Sequence, residues 1–269
     1  MPAIKANDFI VSATDVILAD RPTKVDLFES KKAVKEHIKE NAKAISGHAH
    51  KLYGEANRSI VVLLQGMDTS GKDGTTAALF HRTPPLNVNV ASFKSPTKTE
   101  LAHDYLWRVH NVCPADGEIT VFNRSHYEDV LVVKVREFAS PEAIENRYAQ
   151  INDFERLLTE NGTTVLKFML HISPEVQAER LKDRLVNPDK RWKFNPNDLE
   201  DRKLWPDFMD AYQTMLRRTS TDHAPWHVIP SDDRKTRGAI IGSILLQKLN
   251  EMNPAYPDPG YRLEDFDIQ

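Results

Sequence analysis

The stretch Gln65-Gly-Met-Asp-Thr-Ser-Gly-Lys-Asp-Gly-Thr-Thr76, QGMDTSGKDGTT, sets the reading of the whole chain. From Gly66 to Lys72 it has the Walker A spacing G-x-x-x-x-G-K, in which a glycine-rich turn curls its backbone N–H groups around a phosphate. Ahead of it runs SIVVLLQ (59–65), a continuous β-rich apolar run ending at Gly66, as a strand buried on both faces does. Behind it, from about Asp73, a helix is expected, whose N-terminus adds a positive dipole end. Strand, loop and helix follow in the order a phosphate cradle needs. A glycine-rich turn with no ligand is the plain alternative. Gly66, Thr69, Ser70, Gly71 and Gly74 are therefore expected to line a phosphate, with Lys72 as a mobile cation that follows a phosphoryl group in transfer.

Two acids, Asp68 and Asp73, sit in this loop. A carboxylate beside phosphate oxygens is repelled unless a cation lies between them. Magnesium takes one or two carboxylates together with phosphate oxygens and waters, so Asp68 is the candidate metal ligand, or a base that orients an acceptor phosphate. Asp73 stands where Ser or Thr follows the lysine in an ordinary phosphate-loop NTPase. It either reaches the metal through water or favours the helix N-terminus. Either way the departure speaks against a standard ATP-hydrolysing motor.

Outward from the loop, VNVASF (88–93), EITVFN (118–123), TVLKFMLHI (164–172) and WHVIP (226–230) read as further strands. Amphipathic helices lie between them. Thr97–Glu100 reads as a capping box, Ser140-Pro141 and Ser173-Pro174 as N-caps with proline in the first turn, and Asn161-Gly162 as a helix stop. The alternation predicts an α/β fold with a five-stranded parallel sheet flanked by helices, whose ligands gather at the carboxyl ends of the strands. Lys94 follows the second strand, Asn123 and Arg124 the third, and charge-rich segments the fourth and fifth. Residues 1–57 are polar and mostly helical in pattern, with a long helix expected in SKKAVKEHIKENAKAISGHAHKLYGEA. The expected organisation is an N-terminal helical extension (1–57), a core (58–257) containing a helical lid (180–219), and a C-terminal tail (258–269).

The chain of 269 residues is 40% hydrophobic and 28% charged, with a net charge of −3 and one cysteine, Cys113. No apolar run approaches the roughly 20 residues of a membrane helix, and no basic-then-apolar leader opens the chain, so a cytoplasmic protein is expected. The net acidity gives no global field for nucleic acid, and any polyanion needs a local basic patch.

Two segments supply such a patch. In VFNRSHYEDVLVVKV (121–135), Arg124 would face the phosphate loop if its strand neighbours the first, and an arginine there holds phosphate in bidentate geometry. Glu128 and Asp129 follow, where first-turn acids are favoured by the helix dipole alone. His126 reads as a hydrogen-bonding neighbour rather than a base. ERLKDRLVNPDKRWKF (179–194) concentrates Arg180, Lys182, Arg184, Lys190, Arg191 and Lys193. Such a run is often a solvated helix face. Placed at the phosphate end of the sheet, it suits a lid that closes over phosphates and neutralises transition-state charge.

Together GMDTSGKDG, LWRVH (106–110), NRSHYEDVLV and NPDKRWKFNPNDLEDRKLW resemble the polyphosphate kinase 2 family over about residues 26–257. The resemblance implies a thymidylate-kinase-like P-loop kinase fold. It also implies Mg²⁺-dependent phosphoryl transfer between inorganic polyphosphate and AMP, ADP or ATP, and a homo-oligomer, dimer or tetramer. It makes Asp68 and Lys72 the catalytic loop pair and Asn123 and Arg124 a Walker-B-like site. Arg180, Arg184, Lys190 and Arg191 become lid contacts to phosphate. Many members carry Asp at the place of Asn123 and Trp at that of His126. The form NRSHYEDVL looks like the class III branch, which accepts both nucleoside mono- and diphosphates, and Glu128 is the candidate for acceptor choice. The closest rival is an ATP-dependent nucleoside or nucleotide kinase, which shares the fold, loop and lid. A rival of another class is a non-catalytic polyphosphate-binding regulator, which could lose Asp68 or Lys72, and both are present.

Overall fold

A strand forms at each of the five apolar runs, and the strands pair in parallel in the order β2-β3-β1-β4-β5. They are β1 (Ser59–Gln65), β2 (Val88–Ser92), β3 (Ile119–Asn123), β4 (Thr163–His171) and β5 (Trp226–Pro230). This is a computed structural model that describes residues 3–14 and 16–267. β1 is central and buried along its whole length. Successive side chains point to opposite faces. Val61 and Leu63 join a core with Tyr148, Ile151 and Met215, while Ile60, Val62 and Leu64 join another with Ile45, Leu52 and Ile241. Two apolar faces explain why this strand reads as an unbroken run rather than an alternation.

The helices are α1 (Lys31–Glu55), α2 (Lys72–Phe80), α3 (Lys98–Leu101), α4 (Trp107–His110), α5 (Val132–Val135), α6 (Pro141–Glu160), α7 (Pro174–Val186), α8 (Asn197–Lys203), α9 (Trp205–Thr219) and α10 (Arg234–Met252). The expected caps are present. Thr97 and Glu100 close a reciprocal box at α3, and Ser140 and Ser173 accept hydrogen bonds from Ala143 N and Val176 N. Helices α1, α2 and α10 pack on one face of the sheet, and α6 and α9 on the other.

Two local expectations change. Ahead of α1 the described residues are not helical, apart from single 3-10 turns at Ala6–Asp8 and Leu18–Asp20. The segment is a strap whose backbone groups find partners elsewhere in the fold instead of in each other. Ile10 bridges to His227, Val11 N donates to Trp226 O at 3.0 Å, and Val228 N donates to Phe9 O at 2.9 Å. Gln213 of α9 accepts from Leu18 N and donates to Val16 O, both at 2.6 Å. Beyond β3, the expected helix start at 127–129 is a 3-10 turn, His126–Asp129. Its inner side is pulled into the core. Tyr127 donates to Glu155 at 2.7 Å, His126 Nε2 lies 3.3 Å from the same carboxylate, and Glu155 pairs with buried Lys167 at 2.6 Å.

The topology places the functional end. Arg124 N donates to Leu64 O at 3.1 Å, so the residue after β3 lies against the loop leaving β1.

Candidate active site

The phosphate loop is shaped by four residues with left-handed backbone: Gly66, Thr69, Gly71 and, across the strand boundary, Arg124. A Cβ at Gly66 would meet Leu170 O at 2.7 Å, and one at Gly71 would run into the Arg237 guanidinium. Thr69 (φ 68°) and Arg124 (φ 63°) adopt this conformation without being glycine, a local cost that clusters at binding sites. Thr69 Oγ1 and Ser70 Oγ are buried with no hydrogen-bond partner in the protein. Such hydroxyls cost about 1–3 kcal/mol each until a ligand or water satisfies them.

Lys72 is buried and turned onto the loop, donating to Gly66 O at 2.7 Å and Met67 O at 3.4 Å. Burial, then the charge of Arg124, pushes its pKa down to about 8. Arg124 Nη2 donates to Asp68 Oδ1 at 2.5 Å, and its Nη1 lies 3.7 Å from Glu128. The charge of Glu128 contributes most to raising the Arg124 pKa, which keeps the guanidinium charged. Asp73 accepts from Asn123 Nδ2 at 2.7 Å and from Lys193 Nζ at 3.1 Å. Burial works to raise its pKa, but these bonds prevail and hold the carboxyl below its ordinary value.

The lid folds over this loop. Arg184 pairs with Asp198 at 3.0 Å and reaches Lys193 O at 3.4 Å, and Lys190 pairs with Asp183 at 2.6 Å. Asp198 is raised to about 6, first by burial and next by the charge of Asp68. A cavity of about 460 Å³ lies between lid, loop and the end of β3.

Of the residues expected from the sequence, Asp68, Thr69, Gly71, Lys72, Asp73 and Gly74 line this cavity from the loop. Lys94, Asn123 and Arg124 line it from the strand ends, and Arg180, Arg184 and Lys190 from the α7 side. Four others do not line it. Gly66 and Ser70 lie behind the loop surface, Glu128 stands behind Arg124, and exposed Arg191 donates to Leu185 O at 3.2 Å. Arg180 lines the wall, but its fork is spent on carbonyl oxygens: Thr69 at 2.9 Å, Ser70 at 3.4 Å, Ser231 at 2.9 Å and Asp232 at 2.6 Å.

Three cavity cations were not among the expected phosphate contacts: Lys193, which the sequence shows only as part of the basic run, and Arg234 and Arg237. Lys193 lies in the quoted lid motif. Arg234 and Arg237 are three apart in the charge-rich segment after β5, the spacing of one helix face. Arg237 is buried and donates to Thr75 Oγ1 at 2.8 Å and Ser70 O at 2.8 Å. Among the described residues neither Arg180 nor Arg237 has a carboxylate at ion-pair distance. Two buried guanidiniums held only by neutral carbonyl and hydroxyl oxygens leave positive charge for an anion to balance.

The acids suit magnesium without a protein cage. Among the described residues no group of three or more His, Cys, Asp or Glu is placed to hold a metal. Arg124 engages only Oδ1 of Asp68. One carboxylate beside a phosphate cradle is the usual magnesium arrangement.

Chains of known kind share this architecture. The profile of the family described as Polyphosphate kinase 2 (PPK2) matches residues 28–257. An AMP/ADP-polyphosphate phosphotransferase of Meiothermus ruber is 48% identical over 218 residues, covering 81% of this chain and 82% of that one. An ADP-polyphosphate phosphotransferase of Rhodopseudomonas palustris is 36% identical over 269 residues, covering 95% and 93%. The crystal structure of Polyphosphate Kinase 2 from Arthrobacter aurescens TC1 superposes with a TM-score of 0.90 at 34% identity, covering 98% of this chain and 97% of that one. With the phosphate loop, the arginine after β3 and the basic lid meeting at one cavity, the chain belongs to the polyphosphate kinase 2 family.

Proposed function

We infer that this protein transfers phosphoryl groups reversibly between inorganic polyphosphate and nucleotides, making ADP and ATP from AMP and ADP. The observation that carries this is the convergence of Lys72, Arg124, Arg184, Lys190 and Lys193 on one cavity beside the phosphate loop. Nine lysines and arginines in all line the cavity against three acids, Asp68, Asp73 and Asp183, and this surplus suits two phosphate chains meeting end to end.

In this reading the terminal phosphate oxygen of the acceptor attacks the end phosphorus of polyphosphate in line. The bond from that phosphorus to its bridging oxygen breaks, and the shortened chain leaves with the electron pair. No covalent intermediate on the protein is needed, so positioning and electrostatics supply the catalysis. The loop N–H groups and Lys72 hold the transferring group. Arg124 and Arg184 balance charge on either side of it. Asp68 would hold Mg²⁺, which supplies charge neutralisation between phosphate oxygens. Gly66, Ser70 and Arg180 shape the loop, and Glu128 acts through Arg124 on the acceptor side. Support for both AMP and ADP as acceptors comes from the NRSHYEDVLV motif and from the Meiothermus ruber relative's own name. A dimer or tetramer, and a lid (180–219) closing over the core, are expected on the family resemblance.

The test is a donor assay. The purified protein is incubated with Mg²⁺, long-chain polyphosphate and either AMP or ADP, and the nucleotides are separated by chromatography. ATP formed from AMP with no added nucleoside triphosphate is the expected result. Product that forms only when ATP is the donor would identify an ordinary nucleotide kinase.

A further inference from the structure

Beyond the catalytic cavity, Arg180 and Arg234 form a shared wall with a second cavity of about 550 Å³. It lies between residues 24–34, α7 and the first turn of α10. We propose that this second cavity is a subsite for the distal phosphates of a polyphosphate chain, which crosses Arg234 from the phosphate loop. The proposal rests on the polyphosphate reading above.

Arg234 is the crossing point on chemical grounds. It is exposed and, among the described residues, makes no hydrogen bond or ion pair, so its whole donor fork is available for bidentate phosphate contact. Arg180 beside it is already committed to four carbonyl oxygens and serves as wall. Further along, Lys24, Lys31 and Lys235 make no close ion pair among the described residues, and Lys235 acts on Asp233 only at longer range.

The same cavity carries acids, and their bonding decides the balance. Asp232 accepts from Thr23 Oγ1 at 2.7 Å and Ser173 N at 2.9 Å. Asp233 caps α10 through Lys235 N at 3.1 Å and Thr236 N at 2.7 Å. Their charge is partly spent on these donors. Among the described residues Asp26 and Glu179 make no ion pair, although Glu179 acts at longer range on Arg180, and they stand against the cations Lys24, Lys31, Arg234 and Lys235. The first turns of α1 and α10 both open on this space, and their dipole ends favour an anion further. The surplus is small and spread out. That suits weak, repeated contacts with a sliding polymer better than one tightly held phosphate.

The expected consequence is chain-length selectivity. The readout is kcat/KM for long-chain polyphosphate divided by that for tripolyphosphate, with ADP as acceptor. In the Lys24→Glu/Lys31→Glu double variant the ratio falls roughly tenfold, because two attractive contacts become repulsive for long chains alone. In Glu179→Lys, which adds a cation to the same rim, the ratio rises. Calorimetric titration with long-chain polyphosphate, without acceptor, reads the subsite independently of turnover. It should show weaker binding and a shallower salt dependence in the double variant. An unchanged ratio and unchanged binding in both variants would overturn the subsite. Polyphosphate binding that weakens in the double variant, in a protein that transfers only from ATP, would leave the subsite standing and overturn the proposed activity.

Discussion

Lys193 of the lid donates to Asp73 on the first turn of α2 at 3.1 Å, while Asn123 at the end of β3 donates to the other oxygen of the same carboxylate. One acid thereby joins phosphate loop, sheet and lid. The pair is solvated, with side chains 37% and 67% exposed, and such pairs contribute about 0–1 kcal/mol. It is weak enough to exchange for a phosphate. Lys193→Met should therefore leave the melting temperature within a few degrees of the parent, while lowering kcat/KM for polyphosphate by about 10- to 100-fold. Calorimetry and steady-state kinetics check the two halves.

Asp68→Asn tests the loop acid. It removes the charge that Arg124 holds at 2.5 Å and the carboxylate on which magnesium would depend. Turnover should fall by about 100-fold or more while circular dichroism stays unchanged. Near-normal turnover would refute a metal-holding role.

Arg184→Ala separates transition-state charge from nucleotide binding. Arg184 faces the cavity from the lid and balances Asp198. Its loss should lower kcat by about 10²- to 10³-fold with a much smaller change in nucleotide Kd. An unchanged rate would return it to a solvated helix face.

Lys72 sets a pH limit. Its pKa, lowered by burial to about 8 from an ordinary 10.5, means the free enzyme loses this charge through the window just above pH 8. A plot of log kcat/KM against pH should bend down near 8, and kcat should bend at a higher pH once bound phosphate favours the charged form. Stability moves the other way. Between about pH 8 and 10.5 the unfolded chain still holds the proton that the folded chain has released, so the cost of burying the charge is relieved as pH rises. Lys72→Met should remove the bend along with most activity.

The sheet was legible because β1 buries both faces and β3, β4 and β5 repeat its texture, while the edge strand β2 is partly exposed. The loop was legible because Gly66, Gly71 and Lys72 each answer a separate demand of an anion cradle. Arg124 could be placed once its strand was taken as β1's neighbour, and the Leu64–Arg124 backbone bond shows that it is. The strap before α1 was misread because its structure depends on partners far along the chain, which local periodicity does not carry. Arg237 was missed because its role comes from packing: its guanidinium fills the space that Gly71 leaves open. Arg180 looked like a phosphate contact, and only the bonding around Thr69 and Ser231 shows its fork to be occupied.

The strap also orders events during synthesis. Val16, Leu18 and Thr23 leave the ribosome early, yet their partners Gln213 and Asp232 lie 195 to 209 positions later. At about 5–20 residues per second these segments wait some 10–40 s for their docking surface. The strap is thus among the last segments to settle, although it is made well before its partners. A chain that stalls before β5 lacks both the strand that pairs with β4 and the surface on which the strap docks, and leaves β4 as a bare edge for other chains to join.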